Sequence, residues 1–214
     1  DGAIPRSGEE DKPGWVMAPG YDRHRLPPSL DMQRVALRPR AIRALYLTMY
    51  AVSDQGLRTN VEQLLRDTEA NAIVIDAKGD RGYLSYRSDV PLASSIGATN
   101  GTTIADIREL LRSFQQRGVY TIARIVVFKD DRLARDGPNI GLEVGVRDAS
   151  TGDLWLDGEG LAWVDPFRSE VWNYNVALAE EAAQLGFDEI QFDYIRFPTD
   201  PRQGSSIDEA QFSQ

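Results

Sequence analysis

The sequence places carboxylates and cations where a buried strand should resist them. In "DEIQFDYIRFP", residues 188–198, Ile190, Phe192 and Tyr194 alternate like the buried side of a strand, while Glu189, Gln191 and Asp193 take the other side. The segment "NAIVIDAKG", 71–79, repeats the pattern: Ile73, Ile75 and Ala77 oppose Val74, Asp76 and Lys78. In "VYTIARIVVF", 119–128, Ala123, Ile125 and Val127 oppose Arg124, Val126 and Phe128, and Arg196 follows Asp193 closely. A carboxylate among guanidinium and ammonium groups stays ionised, with a low pKa. That suits Asp193 to act as a nucleophile or as the stabiliser of a developing cation. It does not suit a general acid, which needs a raised pKa. Asp76, Lys78, Arg124 and Asp193 could equally form an internal ion-pair network with no chemistry attached. Tyr46 and Gln191 stand as hydrogen-bonding neighbours of this set.

Composition narrows the chemistry further. The chain has no cysteine, which removes thiol nucleophiles, disulfides and thiolate zinc sites. Its one histidine, His24 in "YDRHRLPP", reads as a surface-loop residue, so neither a Ser-His-Asp triad nor a multi-histidine metal site is expected. A net charge of -9 argues against a nucleic-acid or anionic-membrane partner. No apolar run approaches the roughly 20 residues that a membrane helix needs. Hydrophobic residues make up 42% of the 214, enough for a real core. The chain begins with Asp1 and not Met, which reads as processing or trimming. Trp155, Trp163 and Trp172 bracket a long insertion. Such rings can stack on sugar faces at the mouth of a barrel, but they more often fill a core. "KDDRLARD", 129–136, could hold a cation through Asp130 and Asp131, although a solvated charged loop is the simpler reading.

These residues must be positioned by regular elements. Residues 1–40, rich in Pro, Gly, Arg and Asp, form an irregular lead-in that could pack through Trp15 and Tyr21. From 41 onward, strand and helix patterns alternate. "AIRALYLTMY" (41–50) reads as a strand, with Leu45 and Leu47 opposing Ala44, Tyr46 and Thr48. "GLRTNVEQLLRDTEA" (56–70) reads as a helix with Leu57, Val61, Leu64 and Leu65 on one face. "TTIADIRELLRSFQQRG" (102–118) reads as a helix with Thr103 and Asp106 as its capping pair and Gly118 as its stop. Residues 129–164 are turn-rich, with a possible hairpin near "GLEVGVRDASTGDLWL". "DPFRSEVWNYNVALAEEAAQLG" (165–186) reads as a helix capped by Asp165 and opened by Pro166, with a stripe of Phe167, Val171, Tyr174, Leu178, Ala182 and Leu185.

The order β-α-β-α-β-insertion-α-β predicts a parallel sheet with helices outside. Every strand has one apolar side and one side carrying polar groups. That fits a (β/α)8 barrel, whose inner rim can be polar, better than an open sheet covered on both faces. The turn after the first strand, "TMYAVSDQG", lacks the Gly-rich phosphate fingerprint, and no cofactor is implied. A full barrel needs about 250 residues. The pattern therefore predicts the N-terminal half of a barrel over 41–214, with "SSIDEAQFSQ" opening a further helix and the other half on a continuing or separate chain.

"IRALYLT", "NAIVIDAKGDRGYLSY", "ARIVVFKDDRLA" and "WVDPFRSEVWNYNVALAEEAAQLGFDEIQFDYIRFP" together, in order over about residues 40–200, resemble the bacterial "putative glycosyl hydrolase" domain family. Its members are predicted (β/α)8 barrels, similar at a distance to the alpha-amylase and alpha-galactosidase barrels. The resemblance implies a glycosidase acting on a polysaccharide, with the strand-four carboxylate, here Asp193, as proposed nucleophile. It places Asp76 at a second characteristic acidic position. The family's members are often exported envelope proteins, which implies such a location here. The polar set itself supplies the substrate contacts of this reading: Lys78, Arg124 and Arg196 hold Asp193 ionised and orient sugar hydroxyls, with Tyr46, Gln191 and Trp163 as further contacts. A glycosidase needs two carboxylates, about 5 Å apart for retention or roughly 6.5–9.5 Å for inversion. The partner of Asp193 is expected on a later strand. Two other readings remain at this point: a non-catalytic glycan-binding barrel, and a metal-assisted enzyme with Asp76 and Asp193 as oxygen ligands for Mg2+ or Ca2+.

Overall fold

Four strands, all parallel and in sequence order, carry the fold. A computed structural model describes residues 41–198 and 210–211; the 1–40 lead-in with Trp15, Tyr21 and His24 lies outside them. The elements run β1 (Ala44–Leu47), α1 (Met49–Ser53), α2 (Gln55–Asp67), β2 (Ala72–Lys78), α3 (Pro91–Ser95), a 3-10 turn (Ala98–Gly101), α4 (Ile107–Gln115) and β3 (Tyr120–Val126). They continue with α5 (Asp131–Asp136), a 3-10 turn (Gly137–Ile140), β4 (Arg147–Asp148), α6 (Ser169–Leu185), β5 (Glu189–Asp193) and β6 (Ala210–Gln211). The sheet order is β1-β2-β3-β5. An open doubly wound sheet reverses its strand order at a switch point. This one does not reverse, and single-direction winding is that of a barrel wall.

Local chemistry explains the elements. In α4, Ile107, Leu110, Leu111 and Phe114 are buried at helical spacing, each contributing about 1.5–3 kcal/mol. Asp106 alone caps the helix, accepting from the Glu109 amide at 2.9 Å. The expected capping pair is therefore half right, because the Thr103 hydroxyl donates to the Met49 carbonyl instead. α6 starts at Ser169, later than Asp165 and Pro166 suggested, because the Asp165 carboxylate accepts from the Phe167 amide and closes a turn before the helix. Val171, Tyr174, Leu178 and Ala182 form its buried stripe, and Gly186 ends it at φ 112. β1 is shorter than the expected 41–50 strand because Thr48 caps α1, its hydroxyl accepting from the Ala51 amide at 3.1 Å.

The insertion is more ordered than its composition suggested. Antiparallel bridges join Arg147 to Leu154 and Leu156 to Ala162. "KDDRLARD" is not a solvated loop: Asp130 is fully buried and caps α5 through the Leu133 amide at 2.9 Å. Within "SSIDEAQFSQ", Ala210 and Gln211 pair antiparallel with β4 and do not open a helix; the rest of that segment lies outside the described residues. The core sits beneath β2 and β3, where Ile73, Ile75, Ala123 and Ile125 are almost wholly buried. Toward the outer strands the apolar stripes meet solvent: Leu57 and Leu64 on α2 are about half exposed, and so is Phe192 on β5. Among the described residues no helix is long and apolar enough to cross a membrane.

One irregularity redirects a predicted site residue. The pairing of β2 with β3 runs from Asp76–Arg124 to Lys78–Ile125, so Ala77 is an extra residue and the alternation flips there. Lys78 therefore leaves the face of Asp76 and turns toward the helices. Its ammonium meets Asp130 at 2.6 Å with both side chains fully buried, 5.1 Å from the Tyr174 ring of α6. Burial pushes the Lys78 pKa down, and Asp130 counters that only in part. Asp130→Ala strands this ammonium and is expected to cost about 3–5 kcal/mol in urea melts. Lys78→Met with Asp130→Leu should recover most of that loss, leaving about 1 kcal/mol for the lost α5 cap.

Candidate functional site

The strand register gathers the polar side chains on one face. Asp76, Arg124 and Gln191 stand opposite one another on β2, β3 and β5, and Tyr46 and Asp193 fall on the same face. Arg124 is the centre. Its Nη1 donates to Asp76 Oδ1 at 2.6 Å and its Nε donates to Asp193 Oδ2 at 2.7 Å. The Tyr46 hydroxyl donates to Asp76 Oδ2 at 2.5 Å, and the Arg124 guanidinium lies 5.5 Å from the Tyr46 ring. Asp193 Oδ1 accepts from the Tyr194 amide at 2.7 Å.

Each pKa follows from these contacts. Burial lifts the Tyr46 phenol, and its bond to Asp76 lifts it further, well above the ordinary range. Burial works against the charge of Arg124, but the hydrogen bonds to Asp76 and Asp193 outweigh it and raise the guanidinium. Burial would raise Asp193 too. The Arg124 hydrogen bond, the Tyr194 amide and the charges of Arg124 and Arg196 overcome it and hold the carboxyl below its ordinary 3.8. Exposure separates the two acids. The Asp193 side chain is 37% exposed, so a ligand can reach it, whereas that of Asp76 is 9% exposed and both its oxygens are already taken. Arg124 also fills the space between the carboxylates that a bridging divalent cation would need.

A cavity of about 320 Å3 opens beside this cluster, lined by Tyr46, Asp76, Arg124 and Tyr194 with Asp80 and Tyr83; Asp193 does not line it and is joined to it through Arg124. That is within the size range of small-molecule sites. A larger groove of about 560 Å3 runs along the helix layer past Arg58, Glu62, Glu109 and Arg117. It holds none of the sheet-face charges, so the smaller cavity is the chemical candidate.

The other expected contacts sort by position. Gln191 is exposed on the same face, beside Arg124 in register. Arg196 is exposed, its guanidinium 5.1 Å from the Trp163 ring and 5.2 Å from the Tyr194 ring. Lys78 is not brought into the site, for the reason given by the bulge. Trp163 is 2% exposed, so it is a support and not an open stacking surface. Its Nε1 donates to Asp157 at 3.0 Å, and Asp157 also meets Lys129 at 3.0 Å. Trp155 is buried and Trp172 partly so, with Trp172 Nε1 donating to the Pro166 carbonyl. Asp131 fastens the insertion, accepting from Arg135 at 2.7 Å and from the Ala162 amide at 2.8 Å.

Tyr194, like Lys78, was misplaced by period-two reading. Alternation put it with Ile190 and Phe192 toward the helices. The backbone instead turns left-handed there, at φ 54, and the ring lines the cavity. A side-chain-bearing residue pays about 1–2 kcal/mol for that conformation. Trp163 packs 5.8 Å away, and Lys129 lies 5.7 Å from the ring. Arg124, Lys129 and Arg196 surround the ring only in the folded chain, so no local signal in the sequence placed it there.

Comparison with known proteins agrees with this architecture. A family model described as a putative glycosyl hydrolase domain matches residues 44–214. Among solved structures, a hypothetical protein from Ruminiclostridium thermocellum ATCC 27405 has a TM-score of 0.68 at 35% identity, covering 79% of this chain and 81% of that one. An uncharacterized Listeria monocytogenes EGD-e protein, solved with α-D-glucose, β-D-glucose, magnesium and calcium, has a TM-score of 0.51 at 12% identity. That match covers 81% of this chain and 18% of the other, and the likeness is one of fold alone. The chitobiase of Flavobacterium johnsoniae has a TM-score of 0.49 at 18% identity, covering 71% of this chain and 23% of that one. Among curated proteins, none matched.

The depressed pKa of Asp193 has a testable sign. The folded state binds this proton less readily than the unfolded chain. Its contribution to stability is therefore present above 3.8 and is lost as pH falls through the folded value. In a carboxyl-carbon NMR titration, Arg124→Gln should move Asp193 upward, because burial then acts with less opposition. An unmoved Asp193 would show that Arg124 is not the cause.

Proposed function

The chain belongs to the putative glycosyl hydrolase domain family, and on that premise we propose that it carries the strand-four side of a glycosidase active site acting on a polysaccharide. Asp193 is the nucleophile or oxocarbenium stabiliser. The observation that carries the reading is the Arg124 guanidinium, held between Asp76 and Asp193 on the sheet face beneath an open cavity.

On this reading the two acids take distinct roles. Asp193 must be ionised when the glycosidic bond breaks, so that its negative charge meets the positive charge developing at the anomeric carbon. Arg124 and Arg196 keep it so. The same contacts disqualify it as proton donor to the leaving oxygen. Asp76 is no better a donor, because Tyr46 and Arg124 occupy its two oxygens. Its role is to orient that phenol and that guanidinium. As nucleophile, Asp193 forms the bond to the anomeric carbon as the bond to the leaving oxygen breaks. A second carboxyl protonates that oxygen and later draws the proton from the water that releases the sugar. Four parallel strands are half of the eight in a closed barrel. On this reading the acid/base stands on a further strand of the barrel wall. Gln191 and Arg196, both exposed, would meet sugar hydroxyls, with the buried Trp163 as support for Arg196.

The test is Asp193→Asn in the full-length protein. Hydrolysis of the polysaccharide it cleaves should fall by about a thousandfold or more while folding and sugar binding persist. Unchanged cleavage would overturn the assignment.

A further inference from the structure

Among the described residues, every left-handed backbone position but one is a glycine; the exception is Tyr194. A chain that uses glycine at seven such positions carries a tyrosine at the eighth, directly after Asp193. The twist has a directional effect. Continued extension would put the ring on the helix side with Ile190 and Phe192. The left-handed turn brings it round to the cavity with Tyr46, Asp76 and Arg124. Strain of this kind, placed beside a charged cluster, points to a use for the side chain.

Packing accounts for the ring but not for the hydroxyl. The ring gains from Trp163 at 5.8 Å and from the cations of Arg124, Lys129 and Arg196 at 5.9, 5.7 and 5.2 Å. Phenylalanine would make all four contacts. The backbone bonds, from the Tyr194 amide to Asp193 and from the Phe128 amide to the Tyr194 carbonyl, need no particular side chain. The hydroxyl itself finds no hydrogen-bond partner among the described residues, unlike that of Tyr46, which is committed to Asp76. It is the uncommitted phenol of the cavity wall that stands next to the reactive carboxylate.

We propose that Tyr194 is a substrate-contact residue whose hydroxyl exchanges a hydrogen bond with a pyranose hydroxyl at the sugar unit facing Asp193. Trp163, held by Asp157 and Lys129, is the positioning residue behind it. This rests on the glycosidase reading and deepens it by naming the neutral, hydroxyl-rich ligand surface that the cavity grips.

The experiment compares wild type, Tyr194→Phe and Tyr194→Gly in the full chain. Each is titrated with neutral gluco-, galacto- and N-acetylglucosamine oligosaccharides by calorimetry, with melting temperatures in parallel. Tyr194→Phe should keep the wild-type melting temperature and bind about three- to tenfold more weakly, the worth of one net hydrogen bond. Tyr194→Gly, freed of strain but lacking the ring, should bind more weakly still. If wild type binds an oligosaccharide and Tyr194→Phe binds it equally well, the Tyr194 assignment is overturned and the glycosidase reading stands. If wild type binds none of them, both fall.

Discussion

One guanidinium holds the candidate site together. Arg124 sits in the central part of the sheet with two carboxylates on two of its nitrogens, and three strands must be in register for that to happen. The arrangement is demanding because each group is partly withdrawn from water. Leaving any one of them unpaired costs more than the pair contributes when complete. The sheet register and the charge cluster therefore enforce each other. A one-residue slip of β3 would bury Arg124 among the helices and turn Ile125 to the polar face, and one of β5 would turn Ile190 there and take Asp193 away from Arg124.

The second buried pair, Lys78 with Asp130, performs a different task on the other side of the same strand. It fastens the end of β2 to the first turn of α5, with Asp130 serving at once as counter-ion and helix cap. The bulge at Ala77 is what allows Asp76 and Lys78, two residues apart, to serve opposite faces. Without it the ammonium would stand beside Asp76 and compete with Arg124 for the carboxylate. The insertion after β3 extends this support. Asp157 and Glu159 neutralise Lys129, and Asp157 also fixes the Trp163 ring that backs Tyr194 and Arg196. Burial would raise the Asp157 carboxyl, but Trp163, the Leu161 amide and Lys129 together keep it low, so the anchor stays charged. A segment that looked like loose loop in composition supplies the ring that packs against Tyr194.

Much of this was legible from period and residue type. The alternation of Asp76, Arg124 and Asp193 with Ile75, Ile125 and Phe192 was enough to place the three charges on one face. Local patterning governs which side of a strand a residue takes, provided the strand is regular. The strand order also followed, because β-α alternation leaves few parallel solutions. The misplacements share a cause. Lys78 and Tyr194 were assigned by extending the alternation through a bulge and through a left-handed residue. "KDDRLARD" was read as solvated because its counter-ion, Lys78, is 52 residues away from Asp130.

By itself, then, the sequence determined the element order, the polar face and the ionised character of Asp193, since periodicity and charge are local properties of the chain. Only the tertiary structure decided that Arg124 would bridge both acids, that Lys78 would be spent on Asp130, and that Tyr194 would turn into the cavity. Those outcomes depend on which distant partner a buried charge finds and on where the backbone departs from its regular twist. Both are settled by the energy of the packed whole, not by the residues in their local order.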